Sequence, residues 1–144
     1  MLLTVDPGGT TGFAWVNDAE DELVPIAEQL PPQQFLVWAD MLADLWGEDL
    51  TIVVERFTIT NRTLKVTRAG SYDAIEVIGT LRYFSKRSCH RDIELQQPAD
   101  VMRLFTDDWL RARGWFARGM PHANDALRHC AYRLAKAGRI RVTT

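Results

Sequence analysis

The chain has 144 residues, of which 47% are hydrophobic, 25% charged and 10% aromatic, a composition that fits a globular protein and excludes a disordered one. At this length a single domain spanning 1–144 is expected, burying roughly 70% of the surface of its unfolded chain. No apolar run approaches the ~20 residues of a membrane span, and the two cysteines, Cys89 and Cys130, do not make a disulfide framework.

The opening MLLTVDPGGTTG lacks a basic n-region and a small-residue cleavage site, so a soluble, cytoplasmic protein with no membrane partner is expected. The formal net charge of −2 conceals an uneven distribution. Residues 1–55 hold 11 of the 19 acids and no Lys or Arg, whereas 56–144 hold all 17 basic residues, 14 of them arginine, against 8 acids. Arginine's planar fork matches phosphate bidentately, so this asymmetry suits a polyanionic ligand held by one part of the chain. The plainer alternative is that the two parts interleave and cancel.

Met1 to Asp6 is a short apolar run ending on an acid, followed by a turn cluster, Pro7 to Gly12. Phe13 to Val16 and Leu23 to Leu30 complete three short strands, which tight turns would join as an antiparallel meander. The prolines at 31 and 32 open a helix with Phe35, Trp38, Met41, Leu42, Leu45 and Trp46 at helical spacing, stopped by Gly47. Leu50 to Val54 reads as a buried strand ending on Glu55, and residues 56–69 as a basic loop. Ser71 is placed to cap a helix running to about Lys86. Ile93 to Gln96 is a further strand, Pro98 starts two short helices divided near Thr106, and residues 122–137 form a last helix closed by Gly138. The order βββαβαβ followed by helices predicts a mixed α/β sheet domain.

Three acids stand out within this order. Asp6 and Glu55 each end an apolar strand, which delivers a carboxylate to a sheet end, where ligands gather in α/β proteins. If those strands are neighbours, the two acids reach one ion. Clustered carboxylates raise one another's pKa and persist mainly around a cation. The last helix adds His122, Asp125 and His129, at i, i+3 and i+7 on one face. His122 and Asp125 are expected at one metal site, and His129 to orient a ligand or contact phosphate. Each acid taken alone is better explained as a solvated turn, and His129 equally well as a hydrogen-bonded residue at the rim of the core.

Asp-Pro-Gly-Gly-Thr-Thr-Gly at 6–12, a strand closing on Glu55, Pro98-x-x-Val101 after the fifth strand and His-x-x-Asp-Ala at 122–126 together resemble the RuvC family of Holliday-junction resolvases. The version here looks most like phage-encoded members, which would place it in the host cytoplasm. The resemblance implies an RNase H-like fold, with a mixed five-stranded sheet of three antiparallel and then two parallel strands flanked by helices. It implies a crossover junction endodeoxyribonuclease in which Asp6, Glu55, His122 and Asp125 are catalytic and metal-binding. Two Mg²⁺ ions per site, with Mn²⁺ able to substitute, would cut a phosphodiester. The imidazole of His122 shifts preference toward Mn²⁺. Branched DNA is the implied partner, chiefly four-way junctions, with flaps and forks as further substrates. By the same resemblance Phe57, one residue nearer to Glu55 than the family's spacing, takes the place of a junction wedge or packs in the core, and Arg56, Arg62, Lys65, Arg68 and Arg103 contact DNA, with His129 joining them by its place on the helix face. The family often has a lysine directly after the valine of Pro-x-x-Val, where this chain has Met102 and then Arg103. The helix over 71–86 is the implied two-fold dimer element, with Ile75, Ile78 and Leu81 available to it or to the core.

Other readings meet obstacles in the sequence. Asp-x-Gly-x-Thr also opens the phosphate loop of actin-like ATPases and sugar kinases, which need two such domains and more than twice this length. The glycines at 8, 9 and 12 lack Gly-x-Gly-x-x-Gly spacing. Cys89, His90, His129 and Cys130 match no zinc-ribbon or finger spacing. A flap or branch endonuclease for DNA debranching, a nuclease related to the pre-ribosomal-RNA processing family and a non-catalytic junction-binding module remain as alternatives.

Overall fold

The computed structural model describes residues 1–58 and 68–142, with 68–71 as backbone only. Five strands form one mixed sheet: β1 (Leu2–Asp6), β2 (Thr11–Val16), β3 (Ile26–Leu30), β4 (Thr51–Glu55) and β5 (Glu94–Gln96). Their order is β3-β2-β1-β4-β5, antiparallel among the first three and parallel from β1 to β4 to β5. The helices are α1 (Pro32–Trp46), α2 (Arg68–Phe84), α3 (Pro98–Met102), α4 (Asp107–Ala112) and α5 (Pro121–Lys136). The expected α/β class and the three-antiparallel, two-parallel sheet are therefore present. Among the described residues no helix is long and apolar enough to cross a membrane.

Alternation along the strands divides the core between the two faces of the sheet. Leu3, Val5, Phe13, Ile52 and Val54 face α1 and α2, packing with Phe35, Ala39, Ala43, Val77 and Leu81. Leu2, Val16, Val53 and Ala14 face α5, where Cys130, Leu134, Ala126 and Leu127 meet them. Burying a side chain of the Leu or Phe class contributes roughly 1.5–3 kcal/mol each, so both faces hold the sheet.

Several boundaries differ from expectation for identifiable reasons. Strand β3 begins at Ile26 rather than Leu23, because Pro25 has no N–H for the ladder. Thr11 and Gly12, read as turn, are the first residues of β2. Helix α2 starts at Arg68, a turn before the expected Ser71 cap; Arg68 and Ala69 are good helix formers and carry it backward. On α1 the buried stripe is Phe35, Ala39 and Ala43, whereas Met41 and Leu45 are exposed on the far side. The two alanines let α1 approach the sheet closely, which turns the larger aliphatics outward. Gly47 ends α1 at φ +50° and its N–H returns to the Ala43 carbonyl.

The charge asymmetry is partly consumed inside the fold. Arg87 pairs with Asp40 and Asp44 of α1. Arg56, Arg103 and Arg118 are exposed, and among the described residues none of them has an ion-pair partner.

Candidate metal centre

One row of residues crosses the sheet at the carboxyl ends of β1 and β4. Asp6 is opposite Gly12, Gly12 is opposite Gln29, and Glu55 is opposite Gln96. The parallel pairing of Val5 with Val54 makes Asp6 and Glu55 neighbours. Side chains two apart share a face, so Asp6 follows Leu2 and Thr4, and Glu55 follows Val53, onto the side covered by α5.

Gly12 explains how α5 comes close enough. A Cβ at this position would lie 2.0 Å from the His122 carbonyl oxygen and 2.7 Å from the Ala123 nitrogen. Only glycine lets the first turn of α5 rest on β2. The Thr4 hydroxyl fixes the next turn by donating to the Ala126 carbonyl at 2.8 Å. The Asn124 amide pairs with both backbone groups of Ala117, each at 2.8 Å, and anchors the incoming segment.

The result is that Asp6, His122 and Asp125 each offer a ligand atom within 4.8 Å of the others. His122 Nδ1 and Asp6 Oδ2 share a hydrogen bond of 2.8 Å. Burial pushes the Asp6 carboxyl up from 3.8 to about 6; the His122 hydrogen bond opposes this, and the charges of Glu55 and Asp125 add to it. Asp125 is also raised by burial, with the neighbouring Arg128 opposing and Glu55 contributing. Burial first, and their mutual charge second, thus disfavour ionisation of these carboxylates, a balance that a cation reverses. Oxygen donors with one imidazole suit Mg²⁺ or Mn²⁺. Ligands on an octahedral ion with bonds near 2.1 Å stand about 3–4.2 Å apart, so small side-chain rotations bring these three to that spacing. The donor set fits a divalent ion.

Glu55 is adjacent but is not drawn into that trio. Its Oε2 lies 2.9 Å from His129 Nε2, and His129 Nδ1 lies 2.8 Å from Gln96 Oε1. His129 is only 2% exposed, so both ring nitrogens face protein partners and the expected phosphate contact is replaced by an internal bridge between β4 and β5. Arg128, the preceding residue, pairs with Asp125 and Asp107 and donates from Nε to the Phe105 carbonyl at 2.9 Å.

The residues expected to handle DNA are distributed more loosely. Arg56 is exposed just beyond Glu55, and its backbone N–H donates to the Gln96 carbonyl at 2.7 Å. Phe57, expected as a wedge, is half-buried and lines a cavity of about 310 Å³ with Ile75, Ile78 and Leu95 of the α2 side. Arg103 is exposed in the turn after α3. Arg62 and Lys65 lie outside the described residues, as does the side chain of Arg68. Beside Asp125 a cavity of about 440 Å³ is walled by Met102, Phe116, Met120, Asn124 and Arg128. A further groove carrying Arg111 and Arg118 adjoins it at Phe116.

Sequence reasoning passed over Gly12, Gln96 and Arg128. Gly12 carried a signal, a glycine six residues after the strand-end acid, but its meaning depends on the packing of a helix more than a hundred residues away. No protein-family model matches this chain, and no curated protein matches it either.

Proposed function

We propose that this chain is a metal-dependent, structure-specific DNA endonuclease of the RuvC type, with an RNase H-like fold, that hydrolyses phosphodiesters in branched DNA. The observation that carries the reading is the gathering of Asp6, His122 and Asp125, with Glu55 beside them, on the α5 side of the sheet. That is where the motif order in the sequence leads one to look. Asp6, His122, Asp125 and Glu55 would hold two Mg²⁺ or Mn²⁺ ions. Such ions, when bound, make a hydroxide available near neutral pH and balance the charge that develops on the phosphate and leaving oxygens.

The chain's own residues then have separate tasks. Asp6 is beside Glu55 on the neighbouring strand and hydrogen-bonded to His122, so it would ligate in company with both. Arg128 keeps Asp125 oriented. In the groove that adjoins the cavity beside Asp125, Arg111 is paired with Asp107 and Asp108, and Arg118, without an ion-pair partner among the described residues, would meet a phosphate of the strand. With bound ions to activate water, no nucleophilic side chain is needed, which fits direct hydrolysis. The exposed Tyr72, Ile75 and Tyr83 on α2 support a homodimer through that helix, with one site for each of two strands.

The test is end-labelled cleavage of a fixed four-way junction beside a flap, a fork and a linear duplex, in Mg²⁺ and in Mn²⁺, with Asp6→Asn as control. The expected result is paired symmetric nicks in the junction, at least as fast in Mn²⁺, and none in Asp6→Asn. Faster cutting of flaps and forks would make the protein a general branch nuclease. Junction binding with no nick in either metal would overturn the catalytic reading.

A further inference from the structure

Each carboxylate of the site has one oxygen held by a protein donor. Asp6 Oδ2 is held by His122, Asp125 Oδ1 by Arg128 and Glu55 Oε2 by His129. We infer that His129 is a positioning residue for Glu55, fixing that carboxylate as a one-oxygen metal ligand; the inference rests on the metal-dependent reading above.

Facing a carboxylate, Nε2 must carry the proton, because two acceptors would repel. Nδ1 then has two options. It donates to Gln96 Oε1 with the ring doubly protonated, or it accepts from the Gln96 amide with that amide turned over. In both, Nε2 points its hydrogen at Glu55, so the orientation does not depend on the choice. The ring cannot swing away, since it is 2% exposed and Gln96, itself 8% exposed, holds its far side.

The consequence lies in the oxygen that is left. Among the described residues, Glu55 Oε1 has no hydrogen-bond donor, while Oε2 is committed to His129. One oxygen is thus reserved for a cation and the other fixes its direction. A core histidine needs only some acceptor, and a backbone carbonyl would serve. Here the ring instead spans from β5 to β4 and spends its hydrogen on a site carboxylate. Partners of ligating carboxylates typically contribute 10–100-fold to metal affinity.

The experiment is calorimetric titration of metal-free protein with Mn²⁺ alone, together with thermal melts in EDTA. The proteins are the wild type, His129→Ala, His129→Gln, Gln96→Leu, Glu55→Gln and the double variant His129→Ala/Glu55→Gln. His129→Ala should bind Mn²⁺ about 10–100-fold more weakly, and His129→Gln, which keeps a donor toward Glu55, should recover most of that loss. In the Glu55→Gln background the His129 change should cost nothing further. If His129→Ala does not fold, Gln96→Leu, which leaves the ring in place without its far partner, should still weaken Mn²⁺ binding and lose that effect in the Glu55→Gln background. A lowered melting temperature with Mn²⁺ affinity within about twofold of wild type would overturn the inference, as would an undiminished loss in the Glu55→Gln background. A wild type that binds no Mn²⁺ overturns both this inference and the proposed function. A wild type that binds Mn²⁺ and obeys the cycle, yet nicks no branched DNA, supports the inference and overturns the nuclease reading alone.

Discussion

The two faces of the sheet are built from different materials. Toward α1 and α2 the packing is bulky and apolar: Phe13, Phe35, Trp15 and Trp38 form a cluster with ring centroids 4.6–6.2 Å apart. Toward α5 the contacts near the site are small or polar, with Gly12, Ala14, Thr4 and Ala126 letting the helix come close. The first face supplies stability without contributing any group to the site. The second brings carboxylates together against their own repulsion, and does so with residues that have little bulk to contribute. Separating the two tasks lets a cluster of buried carboxylates exist on a well-packed sheet.

Substitutions on either face should separate stability from metal binding. Phe35→Ala, wholly buried on the α1 side, should lose about 3–5 kcal/mol in urea unfolding. The protein that remains folded should bind Mn²⁺ as wild type does; a parallel loss of affinity would show that the faces are not independent. Gly12→Ala should cost about 3 kcal/mol, at the upper end for overpacking, because the clash is with backbone. It should also abolish Mn²⁺ binding, since the first turn of α5 has to lift away from Asp6.

Asp6 gives a prediction of opposite sign. In the fold it keeps its proton to about pH 6, whereas its ordinary value is 3.8. Between those values the native state binds the extra proton, so the stability contributed by neutral Asp6 is present below about pH 4 and is lost as pH rises past 6. A shift of about two units corresponds to about 3 kcal/mol at most. In EDTA at pH 7.5, Asp6→Asn should therefore melt at a higher temperature than wild type, and the difference should shrink toward pH 4. Added Mn²⁺ should reverse the order, stabilising only the wild type. The smallest effect is expected for Thr4→Val. Removing the hydroxyl donor to Ala126 should cost about 1 kcal/mol, because that carbonyl still accepts a hydrogen bond within the helix.

Much of this arrangement could be read before any coordinates. An apolar run that stops on Asp6, another that stops on Glu55, and His122 three residues before Asp125 are local patterns, and each follows from strand alternation or helix periodicity. Their meeting depends on strand order, which stood only as a condition in the sequence and which the pairing of β1 with β4 provides. His129 was different. Helical spacing put it on the face of His122 and Asp125, but only the register of Glu55 beside Gln96 shows that it turns inward between two strands. Gly12 was placed in a turn because glycine is common there, while its role comes from a helix that arrives at the far end of the sequence. Met41 and Leu45 fitted the helical period without lying on the buried stripe, since Ala39 and Ala43 define the contact and an alanine carries little hydropathic signal.

The most direct test of the centre itself is a crystal soaked in Mn²⁺ and examined by anomalous scattering at the manganese edge. A strong peak is expected within coordination distance of Asp6, His122 and Asp125, with Glu55 Oε1 toward the same site and Oε2 still held by His129. No peak there at millimolar Mn²⁺, with the His122–Asp6 hydrogen bond intact, would contradict that expectation.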